Sequence, residues 1–170
     1  MAIIKEVRGL CPTIGENCFL AETAAVIGEV SIGNDCSIWY GTVLRGDVNS
    51  ITIGNKVNIQ DGAVVHTLYQ RSKTVIGDNV SIGHNATIHG ATIEDNCLIG
   101  MGATILDNAI VESGAIVAAN ALVTSGMRGE GGYIYAGVPA KKIKEVSKEQ
   151  QKEIVERIAN DYVMYASWYK

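Results

Sequence analysis

The chain has 170 residues, a mass of 18.1 kDa, 47% hydrophobic residues and a formal net charge of −4, enough for one domain with its own core. The 18 Asp and Glu outnumber the 14 Lys and Arg, so there is no basic footprint, and nucleic acid is excluded as the expected partner. No apolar run is long enough to cross a bilayer as a helix. The start, MAIIKEVRG, carries Lys5, Glu6 and Arg8 and lacks an apolar signal core, which predicts a cytoplasmic protein.

Residues 1–10 read as an N-terminal extension. From there a six-residue period takes over. Aliphatic residues recur at Ile14, Leu20, Val26, Ile32, Ile38 and Leu44, then at Ile53, Ile59 and Val65, and then at Ile76, Ile82 and Ile88. After a one-residue contraction the series continues through Ile93, Ile99, Ile105, Val111, Val117 and Val123. Four places after each aliphatic sits a mostly small residue, such as Ala24, Thr42, Ala63, Ala86, Ala103 or Ala115, with Gly, Asn and Asp between. Neither a 3.6-residue nor a two-residue period produces this pattern. Ile and Val together number 38 against one Phe and two Trp, which favours many short strands over packed helices. The physical reading is a coil with flat six-residue sides: the aliphatic fills the interior, the small residue lies where the wall bends, and Gly or Asn supplies the corner backbone. Cys18, Cys36 and Cys97 fall in the small slot and read as buried small hydrophobes, and with Cys11 they show no CxxC spacing.

This pattern resembles the hexapeptide repeat of left-handed parallel β-helices. The resemblance covers about residues 11–126 and implies an all-β solenoid in which three hexads close one triangular coil, successive coils stacking about 4.7–4.9 Å apart. Beyond Gly126 the pattern stops. GMRGEGG reads as a flexible loop and YIYAGVPAKKI as an extended exit segment, together 127–146. Ser147 and Gln150 form a capping-box pair, and Ile154, Ile158, Tyr162 and Tyr165 or Ala166 make an apolar stripe at helical spacing. One helix over 147–168, lying on the coils, is therefore expected within a single domain.

The three histidines gain meaning from their phase in the repeat. His66 and His89 both hold the second slot of a hexad. If the irregular stretches before Ile53 and Ile76 bulge from corners, the two histidines stack on one face, one strand apart, near enough to share a metal ion. Arg45 falls one coil below His66. His84 holds a third slot on another side, with Asp61 one coil below it. One chain does not bring both faces to one point, whereas a neighbouring copy in a cyclic trimer would.

The motifs RGD at 45–47, NIQDGAVVH at 58–66 and GHNATIH at 83–89 resemble the γ-class carbonic anhydrases and their close relatives. That resemblance implies a homotrimer in which His66 and His89 of one subunit and His84 of the next bind a divalent metal. It implies Arg45 bridging to Asp61 across the interface, with Gln60 and Asp47 near the metal-bound solvent. Three neutral imidazoles leave one coordination position open for water, the ligand set already known for catalytic zinc in carbonic anhydrase. A metal-bound hydroxide would then hydrate carbon dioxide reversibly to bicarbonate. Zn fits such a set, as do Co and Fe(II). Gln60, and with it Asn58, would orient solvent or substrate. Asp47 either serves the site or caps the corner between Leu44 and Ile53. Tyr135 either turns its hydroxyl to the site or packs in the core.

Two departures bear on turnover. The loop Thr67-Leu68-Tyr69-Gln70-Arg71-Ser72-Lys73 lacks the acidic proton shuttle of highly active members, and Val48 follows Asp47 where those members carry Glu. Two other readings remain open. One is a CoA-dependent hexapeptide-repeat acyltransferase, with which GVPAKKI at 137–143 is also compatible. The other is a non-catalytic, metal-binding trimeric scaffold.

Overall fold

The computed structural model describes residues 1–169. It is a left-handed parallel β-solenoid of about seven turns with one C-terminal helical segment. Strand register defines the three sides. Ile32, Ile53, Ile76, Ile93 and Val111 stack on one side, and Ile38, Ile59, Ile82, Ile99 and Val117 on the second. Val26, Leu44, Val65, Ile88, Ile105 and Val123 form the third. These side chains fill the interior and are almost fully shielded, together with the small residues Ala63, Ala86, Ala103 and Ala115. Removing this apolar area from water is the main stabilising term of a solenoid whose coils touch only their neighbours.

The corners explain the polar part of the repeat. Asn17, Asp35, Lys56, Asn79 and Asn96 all take left-handed backbone, with φ from 55° to 57°, a conformation that Asn and Asp adopt more readily than most other L-residues. Beside them a side-chain ladder climbs the coils. Asn34 Oδ1 accepts from the Glu16 amide at 2.8 Å, Asn55 Oδ1 from Asn34 at 2.9 Å, and Asp95 Oδ1 from Asp78 at 2.8 Å. The cysteines do more than fill space. Cys36 Sγ donates to the Gly54 carbonyl at 3.1 Å and Cys97 Sγ to that of Glu112 at 3.2 Å, each reaching the next coil. Burial pushes the Cys97 thiol up to about 12, so it stays protonated and inert.

The coil reaches past both expected bounds. In the segment read as an N-terminal extension, Ile3–Lys5 pairs in parallel with Ala25–Ile27. GMRGEGG is not a free loop either, since Arg128–Gly129 pairs with Ile110–Val111 and Tyr133–Ala136 continues the next side against Ile116–Val117. Strand pairing uses only backbone groups, so the ladder propagates where the side-chain pattern has lapsed. Glu112 fixes the turn by pairing with Arg128 and accepting from the Gly131 amide at 3.0 Å. Lys141–Glu145 then runs antiparallel to Tyr133–Ala136 and covers that edge. The extra residues after Gly46 lie within a single long strand, Val43–Ile53, which leaves the side of Val64–His66 and joins the side of Thr74–Ile76. Its register shifts opposite Glu29, between Gly28 and Val30.

The helical segment starts with the expected capping box, Ser147 and Gln150 bonding each other's backbone. A π-helical stretch, Gln151–Glu156, separates the first turn from the α-helix Arg157–Ser167. Its wider turn moves the start of the buried stripe on by one residue, to Val155 and Ala159, leaving Ile154 and Ile158 half-buried, while Ala166 is buried as expected. The helix lies on the side of Ser37–Ile38 and Asn58–Ile59, where Tyr162, Tyr165 and Ala166 pack with Phe19, Ala21 and Trp39. Among the described residues, no helix is long and apolar enough to cross a membrane.

Candidate metal centre

Strands Val64–His66 and Thr87–His89 pair in parallel with His66 directly opposite His89. Both side chains leave the coil outward, because Val65 and Ile88 beside them point in. The rings meet at 5.1 Å between centroids, with His66 Nδ1 and His89 Nε2 3.2 Å apart. The far nitrogen of each ring is held by a carboxylate. His66 Nε2 lies 3.1 Å from Asp47 Oδ1, and His89 Nδ1 lies 3.0 Å from both oxygens of Asp107. Arg45 Nη1 donates to Asp47 Oδ2 at 2.7 Å. The Asp47 side chain is therefore turned toward His66 and Arg45 within the long strand.

The electrostatics favour neutral imidazole and ionised carboxylate. Burial, aided by the Arg45 charge, holds His66 below the usual histidine range and outweighs the opposing pull of Asp47. Burial opposes ionisation of Asp47, yet the hydrogen bonds from Arg45 and His66 prevail and lower its pKa. Asp107 is lowered in the same way, burial being outweighed by the bonds from Ser72 and His89.

His84 stands on the side that carries Ile59 and Ile82, its Nδ1 2.9 Å from Asp61 Oδ2. Within one chain Arg45 thus pairs with Asp47, and Asp61 with His84. Gln60 and Asn58 form a third group, buried on the outer face of the helix-covered side. Gln60 Nε2 donates to Asn58 Oδ1 at 2.9 Å, and Asn58 Nδ2 to Ser81 Oγ at 2.7 Å. Tyr135 corrects the reading of a site-facing hydroxyl. Its ring fills the interior slot above Val117, its hydroxyl donates to the Glu130 carbonyl at 3.3 Å, and burial raises its pKa. Two residues of the neighbourhood, Ser72 and Asp107, escape the sequence reading. Asp107 lies 18 positions after His89, but Ile88 is level with Ile105, so the phase count carried one coil further points to Leu106 and misses Asp107 by one slot.

Among the described residues of one chain, no three His, Cys, Asp or Glu side chains group closely enough to hold a metal. The donor chemistry nevertheless fits one. Each of the three histidines has one nitrogen on a carboxylate, which leaves the other available, the arrangement in which a carboxylate orients a metal-binding imidazole. Two of the available nitrogens, on His66 and His89, face each other and need a proton or a cation between them.

Comparison with known proteins agrees with the fold and the motifs. The chain matches the model "Bacterial transferase hexapeptide (six repeats)" at 11–46 and "Hexapeptide repeat of succinyl-transferase" at 73–107 and 91–125. It is 52% identical over 143 residues to a probable carbonic anhydrase of Methanocaldococcus jannaschii, covering 84% of this chain and 89% of that protein. It is 39% identical over 163 residues to the carbonic anhydrase of Geobacillus kaustophilus, covering 96% and 88% respectively. Against the mitochondrial gamma carbonic anhydrase 2 of Arabidopsis thaliana it is 46% identical over 144 residues, 82% of this chain, and spans about half (52%) of that protein's length. A solved hexapeptide transferase family protein from Anaplasma phagocytophilum superposes with a TM-score of 0.94 at 39% identity, covering 99% of this chain and 98% of that one. AntD, an N-acyltransferase from Bacillus cereus, has a TM-score of 0.71 at 18% identity, with 90% of each chain covered, and so shares the fold alone. With the repeat, the three motifs and two carbonic anhydrase relatives covered to 88–89% of their length, the chain belongs to the γ-class carbonic anhydrase-like family of hexapeptide-repeat proteins.

Proposed function

We propose that this protein hydrates carbon dioxide reversibly to bicarbonate, at divalent-metal sites each shared between two subunits of a homotrimer. The observation that carries the reading is the facing pair His66 and His89, each backed by its own carboxylate, while the similarly backed His84 lies on another side of the coil. Relatives named carbonic anhydrase support the same reaction. A metal held by three neutral imidazoles, Zn best among the candidates, supplies Lewis acidity that activates water near neutral pH.

The chain's own residues would do the rest. Asp47 and Asp107 fix the orientation of His66 and His89, and Asp61 that of His84. Gln60 enters the shared site from the same side of the coil as His84, and its amide, anchored on Asn58, orients water and substrate. The test is elemental analysis of anaerobically purified protein followed by stopped-flow hydration of carbon dioxide. About one metal per chain with hydration above background supports the reading. Metal-free protein that transfers acyl groups from CoA overturns it, and metallated protein without hydration leaves a scaffold.

In this assembly Arg45 reaches Asp61 of the neighbouring subunit. Arg45→Ala is then expected to weaken the trimer by about 3–5 kcal/mol, the usual cost of stranding one member of a buried ion pair, and to affect metal content less within surviving trimers. Sedimentation over a dilution series reads this directly, and an unchanged trimer removes Arg45 from the interface.

A further inference from the structure

Behind His89 the chain builds a bracket of three connected groups. His89 Nδ1 lies 3.0 Å from the Asp107 carboxylate. The same carboxylate accepts a hydrogen bond from Ser72 Oγ, and Ser72 is only 4% exposed. Ser72 also ties down the 67–73 loop. Its hydroxyl oxygen accepts from the Leu68 amide at 3.2 Å, and its carbonyl accepts from Asn49 Nδ2 at 2.9 Å. The notch that lets Ser72 reach Asp107 is Gly90, the residue immediately after His89. A Cβ there would collide with both Ser72 Oγ and Asp107 Oδ1. Gly90 also takes φ +60°, so a side chain at this position is disfavoured both by space and by backbone.

We infer that Asp107, held in place by Ser72, is the positioning residue for His89 as a metal ligand, and that through Ser72 it couples the order of the 67–73 loop to the grip on the metal. The inference rests on the metal-site reading above. Its chemistry is specific. A carboxylate offers an acceptor oxygen to each of two donors, the Ser72 hydroxyl and the His89 Nδ1–H, and so leaves Nε2 unprotonated toward the metal. An amide in its place turns one of the two oxygens into an N–H₂ donor facing the Ser72 hydroxyl or the His89 Nδ1–H, so a donor meets a donor there or His89 changes tautomer. Ser72 on the loop therefore acts on the metal through Asp107 and His89, without touching it.

The test uses the full-length protein and its Asp107→Asn and Ser72→Ala variants, loaded with Co(II) and titrated against a competing chelator, with visible spectra recorded at each point. Thermal unfolding of the metal-free proteins runs in parallel. Asp107→Asn is expected to weaken Co(II) binding roughly 10–100-fold, the usual range for losing an outer-shell partner of a ligating histidine. It should also alter the Co(II) spectrum, which a change in fold stability alone would not do. Ser72→Ala should weaken binding by a smaller factor, in the same direction and with the same spectral change. Should Asp107→Asn fail to fold, the milder Ser72→Ala decides the matter. Wild-type-like affinity and spectrum in the variants, with wild-type protein binding Co(II), overturn the inference and leave the metal site standing. Wild-type protein that binds no Co(II) overturns the metal-site reading itself, and this inference with it.

Discussion

Metal sites are expected to return when two inactive variants of the proposed shared site are combined. His84→Ala chains keep His66 and His89 but bring no third ligand to their neighbours, and His66→Ala chains lack half of the stacked pair. Each variant alone is expected to hold no metal at functional affinity. In trimers reassembled from an equal mixture, a site is complete only where a His84→Ala chain supplies the stacked pair and a His66→Ala chain supplies His84, so about one quarter of sites should recover in a randomly assorted cyclic trimer. Metal content and hydration should rise together toward that fraction. The reason is geometric: His84 pairs with Asp61 on the helix-covered side, whereas His66 and His89 stand on the side that carries Leu44 and Val65. Metal that never returns at any mixing ratio, with mixed trimers present, sinks the shared site.

Hydration by the wild-type protein should be limited by proton export and not by attack on carbon, and should speed up on the order of tenfold as imidazole-type buffer is raised, because proton transfer is fastest from a group whose pKa lies near the working pH. The 67–73 loop holds no carboxylate and no histidine. Tyr69 is half exposed, but its phenol is a poorer proton relay than the carboxylate this loop lacks. Tyr69 and Gln70 do, however, line a hollow of about 360 Å³ together with Asp47, next to His66. Tyr69→Glu or Gln70→Glu therefore places a carboxylate within reach of the site. Either should raise the rate severalfold in weak buffer and little in strong buffer, since added buffer then replaces the missing relay. Hydration that ignores both buffer and the new carboxylate refutes the proton-export limit.

The solenoid follows from the order of the amino acids alone. A six-residue period of aliphatics can be buried only by a wall that turns every six residues, and left-handed Asn, Asp and Gly at the corners make that turn possible without strain. The same order brings His66 onto His89 and His84 onto Asp61, because in stacked coils vertical neighbours follow from counting once the corner insertions are assigned. The ends are less legible. Ile3–Lys5 and Tyr133–Ala136 join the sheet through backbone hydrogen bonds, which need no hexad pattern and leave no periodic trace. The π-helical stretch that shifts the buried stripe to Val155 and Ala159 likewise has no counterpart in helical periodicity. Tyr135 is ambiguous in sequence, because an aromatic in a first slot can fill a core or face a site; the open top of the coil takes it as a plug. How the carboxylates are shared out, with Asp47 turned to His66 and Asp107 to His89, is settled in three dimensions. Those pairings depend on the path of the 43–53 strand, on the fold of the 67–73 loop onto Asp107, and on the empty volume at Gly90. Each is a matter of side-chain reach and packing between coils, which residue spacing along the chain does not encode.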